Sequence, residues 1–396
     1  MRREELRNEI LSLDVYDTHT HLIGDALAAR DFWEIAHYFW FAEELWAAGY
    51  PGNAEELPEG DRIDAFVKAF EATRNTSMNW VLRRIFEDLY DVRITDAASV
   101  RQADEAVRET ARRSGWAAEV TRKMSIRKIV VNIEQDSHFR GLPDKCVLVP
   151  RIEGLIDEWS RSIAGSSDQD AAGDQVGGEI RDALAGFRRR GCPGIMAALA
   201  RFGGRTHGAR DRLKFSGNTR DEVLVFILHR IAAAAEAEGL FVQLFLGVEG
   251  EWNKVGFASA NDPDRILKLH GLFERHGCDF ELVLGSEINM LDAVQAARAY
   301  PNVFIGGQWW FNFRASTYRD SMQKCLEALP PSKRSLVVSD GRCIEWCYGK
   351  IVLIKYLLAD FLFDQIEPGW LDHDEAIRVA KQWLYGSAAA RYDRAD

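Results

Sequence analysis

His19 and His21 stand two residues apart in Asp17-Thr-His-Thr-His-Leu22, at the end of an apolar-leaning run that begins at Leu13. Alternate residues of a β-strand point to one face, so this spacing offers two imidazoles to one small cation. Neutral imidazole is the commonest protein ligand for such metals. Far along the chain, Ser339-Asp340-Gly341-Arg342 again follows directly on an apolar run, Ser335 to Val338. A carboxylate there completes a set of three ligands, His19, His21 and Asp340, provided the first and last strands are neighbours. Three protein ligands with open positions are the pattern of a catalytic rather than a structural site. The plain alternative is two polar residues on a surface strand, with Asp340 capping the helix that follows.

Eight short apolar runs bounded by turn residues would supply the strands: Leu13–Thr18, Ile126–Ile133, Cys146–Ile152, Gly194–Leu199, Leu240–Leu246, Phe280–Leu284, Asn302–Ile305 and Ser335–Ser339. Several are continuous β-branched and aliphatic stretches, as expected of parallel strands buried on both faces. Amphipathic stretches lie between most of them, clearest over Arg220–Glu238, Asp262–His276, Ile288–Ala299 and Ser316–Leu329, with a long apolar one over Cys343–Phe363. This alternation predicts an α/β fold, a (β/α)8 TIM-type barrel, with a doubly wound open sheet as the alternative. A barrel would bring the first and eighth strands together. The segment 19–125 is far longer than one crossover needs, and residues 31–122 read as a helical insertion after strand 1, capping the C-terminal mouth of a single domain spanning 1–396. Residues 163–178, rich in Gly, Ser and Asp, read as a mobile polar loop.

Composition narrows the partners. The 396-residue chain is 47% hydrophobic with twelve Trp, ample for a folded core. Net charge is −11 with dispersed Lys and Arg, so no basic stripe exists to neutralise phosphates, and nucleic acid is not an expected partner. No apolar run reaches the roughly 20 residues of a membrane span, and no apolar h-region precedes Ile10. Six scattered cysteines fit reduced thiols in the cytoplasm; Cys343 and Cys347, four apart, offer a minor metal or redox alternative.

Four motifs together resemble the uronate isomerases of the amidohydrolase superfamily: Asp17-Thr-His-Thr-His-Leu22; Asp31-Phe-Trp-Glu-Ile-Ala-His-Tyr-Phe-Trp40, similar to the family's aromatic cap segment with its active-site tyrosine; Arg74-Asn-Thr-Ser-Met-Asn-Trp80; and Gly306-Gly-Gln-Trp-Trp-Phe-Asn312 followed by Ser339-Asp-Gly-Arg342. The resemblance implies aldose–ketose isomerisation of a hexuronate of glucuronate or galacturonate type through an enediol, with one divalent metal, zinc or else manganese, on His19, His21 and Asp340. It makes Asp340, Arg342 and Tyr38 the catalytic candidates, and Arg342, Trp309 and Trp310 the substrate-binding ones. Barrels of this kind often associate, so a homo-oligomer is expected. Two departures stand out: strand 5 carries Phe245 where the superfamily usually has a histidine, and strand 4 offers Met196 rather than a metal-bridging lysine. They leave a mononuclear hydrolase or lactonase, a lyase acting on a sugar-derived acid, or an inactive binding homologue as alternatives. His138 and Arg151 follow strands 2 and 3 and could reach the mouth; His207, His229, His270 and His276 suggest no ligand role.

Overall fold

In the computed structural model, residues 2–134, 138–199, 203–206, 219–247, 262–309 and 313–393 are described. Helix α1 (Arg3–Ser12) precedes strand β1 (Val15–Thr20). Six helices then intervene before the next strand: α2 (Phe32–Ala36), α3 (Phe39–Ala47), α4 (Glu59–Ala72), α5 (Ser77–Tyr90), α6 (Ala97–Ala111) and α7 (Trp116–Lys123). After them strands and helices alternate: β2 (Ile126–Val131), β3 (Cys146–Leu148), α8 (Glu153–Ala164), α9 (Gln169–Arg189), β4 (Gly194–Ala198), α10 (Thr219–Glu238), β5 (Phe241–Leu246), α11 (His270–Arg275), β6 (Phe280–Leu284), α12 (Met290–Ala299), β7 (Val303–Gln308) and α13 (Ala315–Ala328). The chain closes with α14 (Ile344–Ile366), α15 (His373–Lys381), one π-helical turn over Gln382–Gly386, and α16 (Ser387–Tyr392).

The strands form two parallel sheets, β1-β2-β3 and β4-β5-β6-β7. A single bridge leaves each edge of the second sheet, one toward the end of β3 and one toward the segment that follows α13. Arg151 pairs with Met196 beyond β3, where the Met196 N–H donates to the Pro150 carbonyl at 2.9 Å. On the other side Arg334 pairs with Ile305, and the Ser335 N–H donates to the Ile305 carbonyl at 2.9 Å. The segment after it lies beside β1, with the Thr18 N–H donating to the Val337 carbonyl at 3.0 Å. This segment, expected as an eighth strand over Ser335–Ser339, lacks a continuous ladder. The Ser339 N–H donates to the Asp17 carboxylate instead of a backbone carbonyl, at 2.9 Å, and Asp340 turns left-handed with φ +55°.

Packing explains two further differences from expectation. Strand β7 runs on through Gly306 and Gly307 rather than stopping at Ile305. A Cβ on Gly306 would meet Val283 Cγ2 at 2.6 Å, and one on Gly307 would meet the Leu336 carbonyl at 2.8 Å, so these glycines admit neighbouring strands and do not mark a turn. Of the stretch expected as a polar loop over residues 163–178, only 165–168 connect α8 to α9, and residues 169–178 form the first half of α9. Asp168 caps that helix by accepting from the Ala171 N–H at 3.0 Å, and Val176, Gly177 and Ile180 are buried. Most of the core is one apolar cluster, but a second draws Tyr16, Val130, Val149, Met196, Phe245, Val283, Trp309 and Val338 from successive strands, joined by Ala388 and Tyr392 of α16.

Candidate metal centre

Strand β1 breaks register with β2 between Asp17 and Thr20, and within this shift His19 packs against Phe245 of the second cluster, ring centroids 4.4 Å apart and planes tilted by 46°. His19 is fully buried; His21, just past the strand end, keeps 28% of its side chain exposed. Their rings meet edge to face at 4.9 Å. His19 Nε2 lies 3.1 Å and His21 Nε2 2.9 Å from one oxygen of Asp340, Oδ1. All three donor atoms fall within 4.8 Å of one another. The two backbones are tied as well: the Asp340 N–H donates to the His19 carbonyl at 3.0 Å, and the His21 N–H to the Gly341 carbonyl at 2.9 Å.

Electrostatics match a ligand set. Burial drives His19 down to about 4, against its hydrogen bond to Asp340, so its ring is neutral at neutral pH. Burial pushes Asp340 up, but His21, the two imidazole hydrogen bonds and Lys350 outweigh it and hold the carboxyl well below the usual carboxylate range. Neutral imidazole and ionised carboxylate are the forms that bind metal. Ligands about 2.1 Å from a tetrahedral ion stand about 3.4 Å apart, so the two histidine–Asp340 separations need to open by only a few tenths of an ångström. His19 Nδ1 is buried without a hydrogen bond among the described residues, so coordination through Nε2 would leave Nδ1 carrying the ring proton. The residues fit one divalent cation.

Asp340 is held on every side. Left-handed backbone in a non-glycine residue costs roughly 1–2 kcal/mol, and its persistence requires surrounding contacts that fix it. Trp40 Nε1–H donates to the second carboxylate oxygen, Oδ2, at 2.7 Å. The Tyr38 hydroxyl donates to the Asp340 carbonyl in a short hydrogen bond. Helix α14 adds Lys350, fully buried, with Nζ 3.0 Å from the Tyr38 hydroxyl. Burial pulls its ammonium down to about 7 against the attraction of Asp340, Cys347 and Asp17. Asp340 does not cap a helix, because α14 begins at Ile344 with Cys343 as its N-cap.

The other candidates do not belong to this three-donor group. Arg342 is exposed, its guanidinium 5.0 Å over the Phe39 ring, and lines a cavity of about 350 Å³ with Tyr38, His37, Trp33 and Glu55. Trp309 is buried edge-on against Phe245 at 4.8 Å, one ring behind His19; Trp310 lies outside the described residues, as does His207. Arg151 pairs with Glu153 at 3.3 Å and Glu134 at 3.8 Å, and its charge contributes to depressing His19. His138 is exposed. His229 and His276 pair with each other at 2.9 Å, and among the described residues only His19, His21 and Asp340 form a metal-ligating group. All six cysteines are free thiols, and Cys347 packs beneath Gly341.

Sequence reasoning missed Trp40 and Lys350. Trp40 was inside the aromatic cap motif but indistinguishable there from a packed ring. Lys350 carried a signal, a cation in the middle of an otherwise apolar helix, which must find partners when buried.

No known family model and no curated protein matches the sequence. Solved structures do match the fold. Uronate isomerase from Thermotoga maritima superposes with TM-score 0.81 at 14% identity, covering 98% of this chain and 97% of that one. Uronate isomerase from Bacillus halodurans C-125 gives 0.78 at 16%, over 100% and 96%. Glucuronate isomerase from Caulobacter crescentus gives 0.76 at 13%, over 100% and 95%. At such identities the likeness lies in the fold: along its whole length, this chain has the fold of solved uronate isomerases.

Proposed function

We propose that the chain is a metal-dependent isomerase of a hexuronate, converting an aldose acid to the corresponding keto acid. The observation that carries this reading is the three-donor cluster of His19, His21 and Asp340 at adjoining strand ends, in a chain whose whole length follows the uronate isomerase fold. In this reading the two sheets and the 335–339 segment are parts of one (β/α)8 barrel, which the bridges at both sheet edges and the inward cluster support. Residues 31–122 serve as the cap of that single domain, bringing Tyr38 and Trp40 to the site.

One zinc or manganese ion would sit on His19 Nε2, His21 Nε2 and Asp340 Oδ1, supplying a template and Lewis acid for a carboxylate and a hydroxyl. The rest falls to the protein. Aldose–ketose exchange moves a proton between adjacent carbons through an enediol, so it needs a base, an anion clamp and a dry wall. Asp340 accepts the hydroxyl proton as the sugar acid opens. Arg342, on the cavity beside Tyr38, offers a planar fork to a carboxylate or enediolate oxygen. Phe245 and Trp309 form a ring-lined floor that excludes water. Tyr38 acts where its hydroxyl points, on the backbone of Asp340. A small sugar acid is the partner this arrangement suits, with chains associating as homo-oligomers.

The test is a panel of glucuronate, galacturonate, aldonates and lactones with zinc- or manganese-loaded protein, followed by NMR. Interconversion of a hexuronate and its keto acid is expected. Lactone hydrolysis with no hexuronate conversion would replace the isomerase reading with a mononuclear hydrolase.

A further inference from the structure

We propose that Lys350 is a positioning residue for Asp340, acting through the Tyr38 hydroxyl to fix which carboxylate oxygen the two histidines receive. Lys350 sits on α14 with no exposed surface, in a box of rings: its Nζ lies 3.8 Å from the Phe313 centroid, 4.8 Å from Tyr38 and 5.8 Å from Trp40. Its polar contact in that box is the Tyr38 hydroxyl at 3.0 Å.

An ammonium carries only donors. The Tyr38 oxygen must therefore accept from Lys350, and the tyrosine's own proton is directed to its other neighbour, the Asp340 carbonyl. Tyr38 cannot rotate freely, because its ring stacks on Trp346 at 4.4 Å. The relay thus runs from the cation, through a hydroxyl of fixed polarity, to the backbone of a residue at φ +55°. With that backbone pinned and Oδ2 occupied by Trp40, Oδ1 alone faces His19 and His21.

Charge alone predicts the opposite effect. A buried cation beside a cation site repels the incoming ion, so removing it without other consequence should tighten metal binding. A positioning residue gives the reverse sign when it is removed.

The ion-binding arm of the test rests on the metal reading above; a structural arm does not. Full-length wild type, Lys350→Met, Lys350→Arg, Tyr38→Phe and the Tyr38→Phe/Lys350→Met double variant are titrated with Co²⁺ and followed by visible absorption. Crystals of metal-free wild type and Lys350→Met are solved alongside. Binding at least tenfold weaker in Lys350→Met, with an altered cobalt spectrum, is expected. Lys350→Arg should recover most of the loss, and the double variant should bind no more weakly than Tyr38→Phe alone, since both changes break one relay. Residue 340 should leave the left-handed region in the Lys350→Met crystal. Equal or tighter binding in Lys350→Met, or additive losses in the double variant, would overturn the proposal. If Lys350→Met does not fold, Tyr38→Phe decides, and unchanged cobalt binding there refutes the relay. If wild type takes up no Co²⁺, the metal reading fails separately, and an unmoved residue 340 in the Lys350→Met crystal then refutes the role of Lys350.

Discussion

Replacing Arg391 with Met should unseat the polar network beneath the candidate site. Arg391 on α16 is 2% exposed and meets Glu281 Oε1 at 3.1 Å; Glu281, on β6, is fully buried. The second Glu281 oxygen accepts from Gln243 Nε2 at 3.2 Å and, in a short hydrogen bond, from the Tyr392 hydroxyl. Gln243 also donates to the Thr18 carbonyl at 3.1 Å, one residue before His19. Removing one partner of a buried ion pair leaves an uncompensated charge and costs about 3–5 kcal/mol. Unfolding entropy of about 2.1 cal/mol/K per residue, over 396 residues, comes to about 830 cal/mol/K, so the melting temperature should fall by about 4–6 °C. Calorimetry checks the shift. The double change Arg391→Met with Glu281→Met removes the stranded carboxylate and should recover more than half of the loss. A single-variant loss under about 1 kcal/mol, or a double variant less stable than Arg391→Met, would refute the argument that the buried charge dominates.

Gly307→Ala should cost more than about 2 kcal/mol in urea unfolding, because the new Cβ meets the Leu336 carbonyl at 2.8 Å, and backbone does not yield as a flexible side chain would. Arg342→Lys should lower hexuronate turnover at least tenfold while leaving metal content at the wild-type level, since an ammonium cannot reproduce a planar fork; atomic absorption and initial rates separate the two. Burial, with Glu44 nearby, raises Glu43 in the fold to about 7, so its contribution to stability is full below about 4.5 and is lost as pH rises through 7. Glu43→Gln should therefore be more stable than wild type at pH 8 and indistinguishable at pH 4, as read from paired denaturation midpoints.

Much of this arrangement is legible in the residue order. Period-two imidazoles at 19 and 21 and an aspartate after a late apolar run suffice to propose one cluster, and the chain brings them within 4.8 Å. Continuous apolar runs mark the strands, because parallel strands covered on both faces tolerate little else. What escapes is decided by contacts between distant segments. Gly306 and Gly307 look like a turn until Val283 and Leu336 are known to press against them. The α9 glycines look like a loop until the buried Val176 and Ile180 and the Asp168 cap are in place. The left-handed backbone of Asp340 is not legible locally, because the groups that hold it, Tyr38 and Lys350, arrive from the start of α3 and from α14.

The central claim is most directly tested by counting ions and turnover in the same samples. Metal-free protein is titrated with Zn²⁺ or Mn²⁺, bound metal is measured by elemental analysis, and hexuronate conversion is followed at each step. The account predicts conversion that rises with occupancy and saturates at about one ion per chain, the open three-ligand arrangement, and that both metal and conversion vanish in the His19→Ala/His21→Ala variant. Two tightly held ions per chain, or hexuronate conversion persisting in that variant, would contradict it.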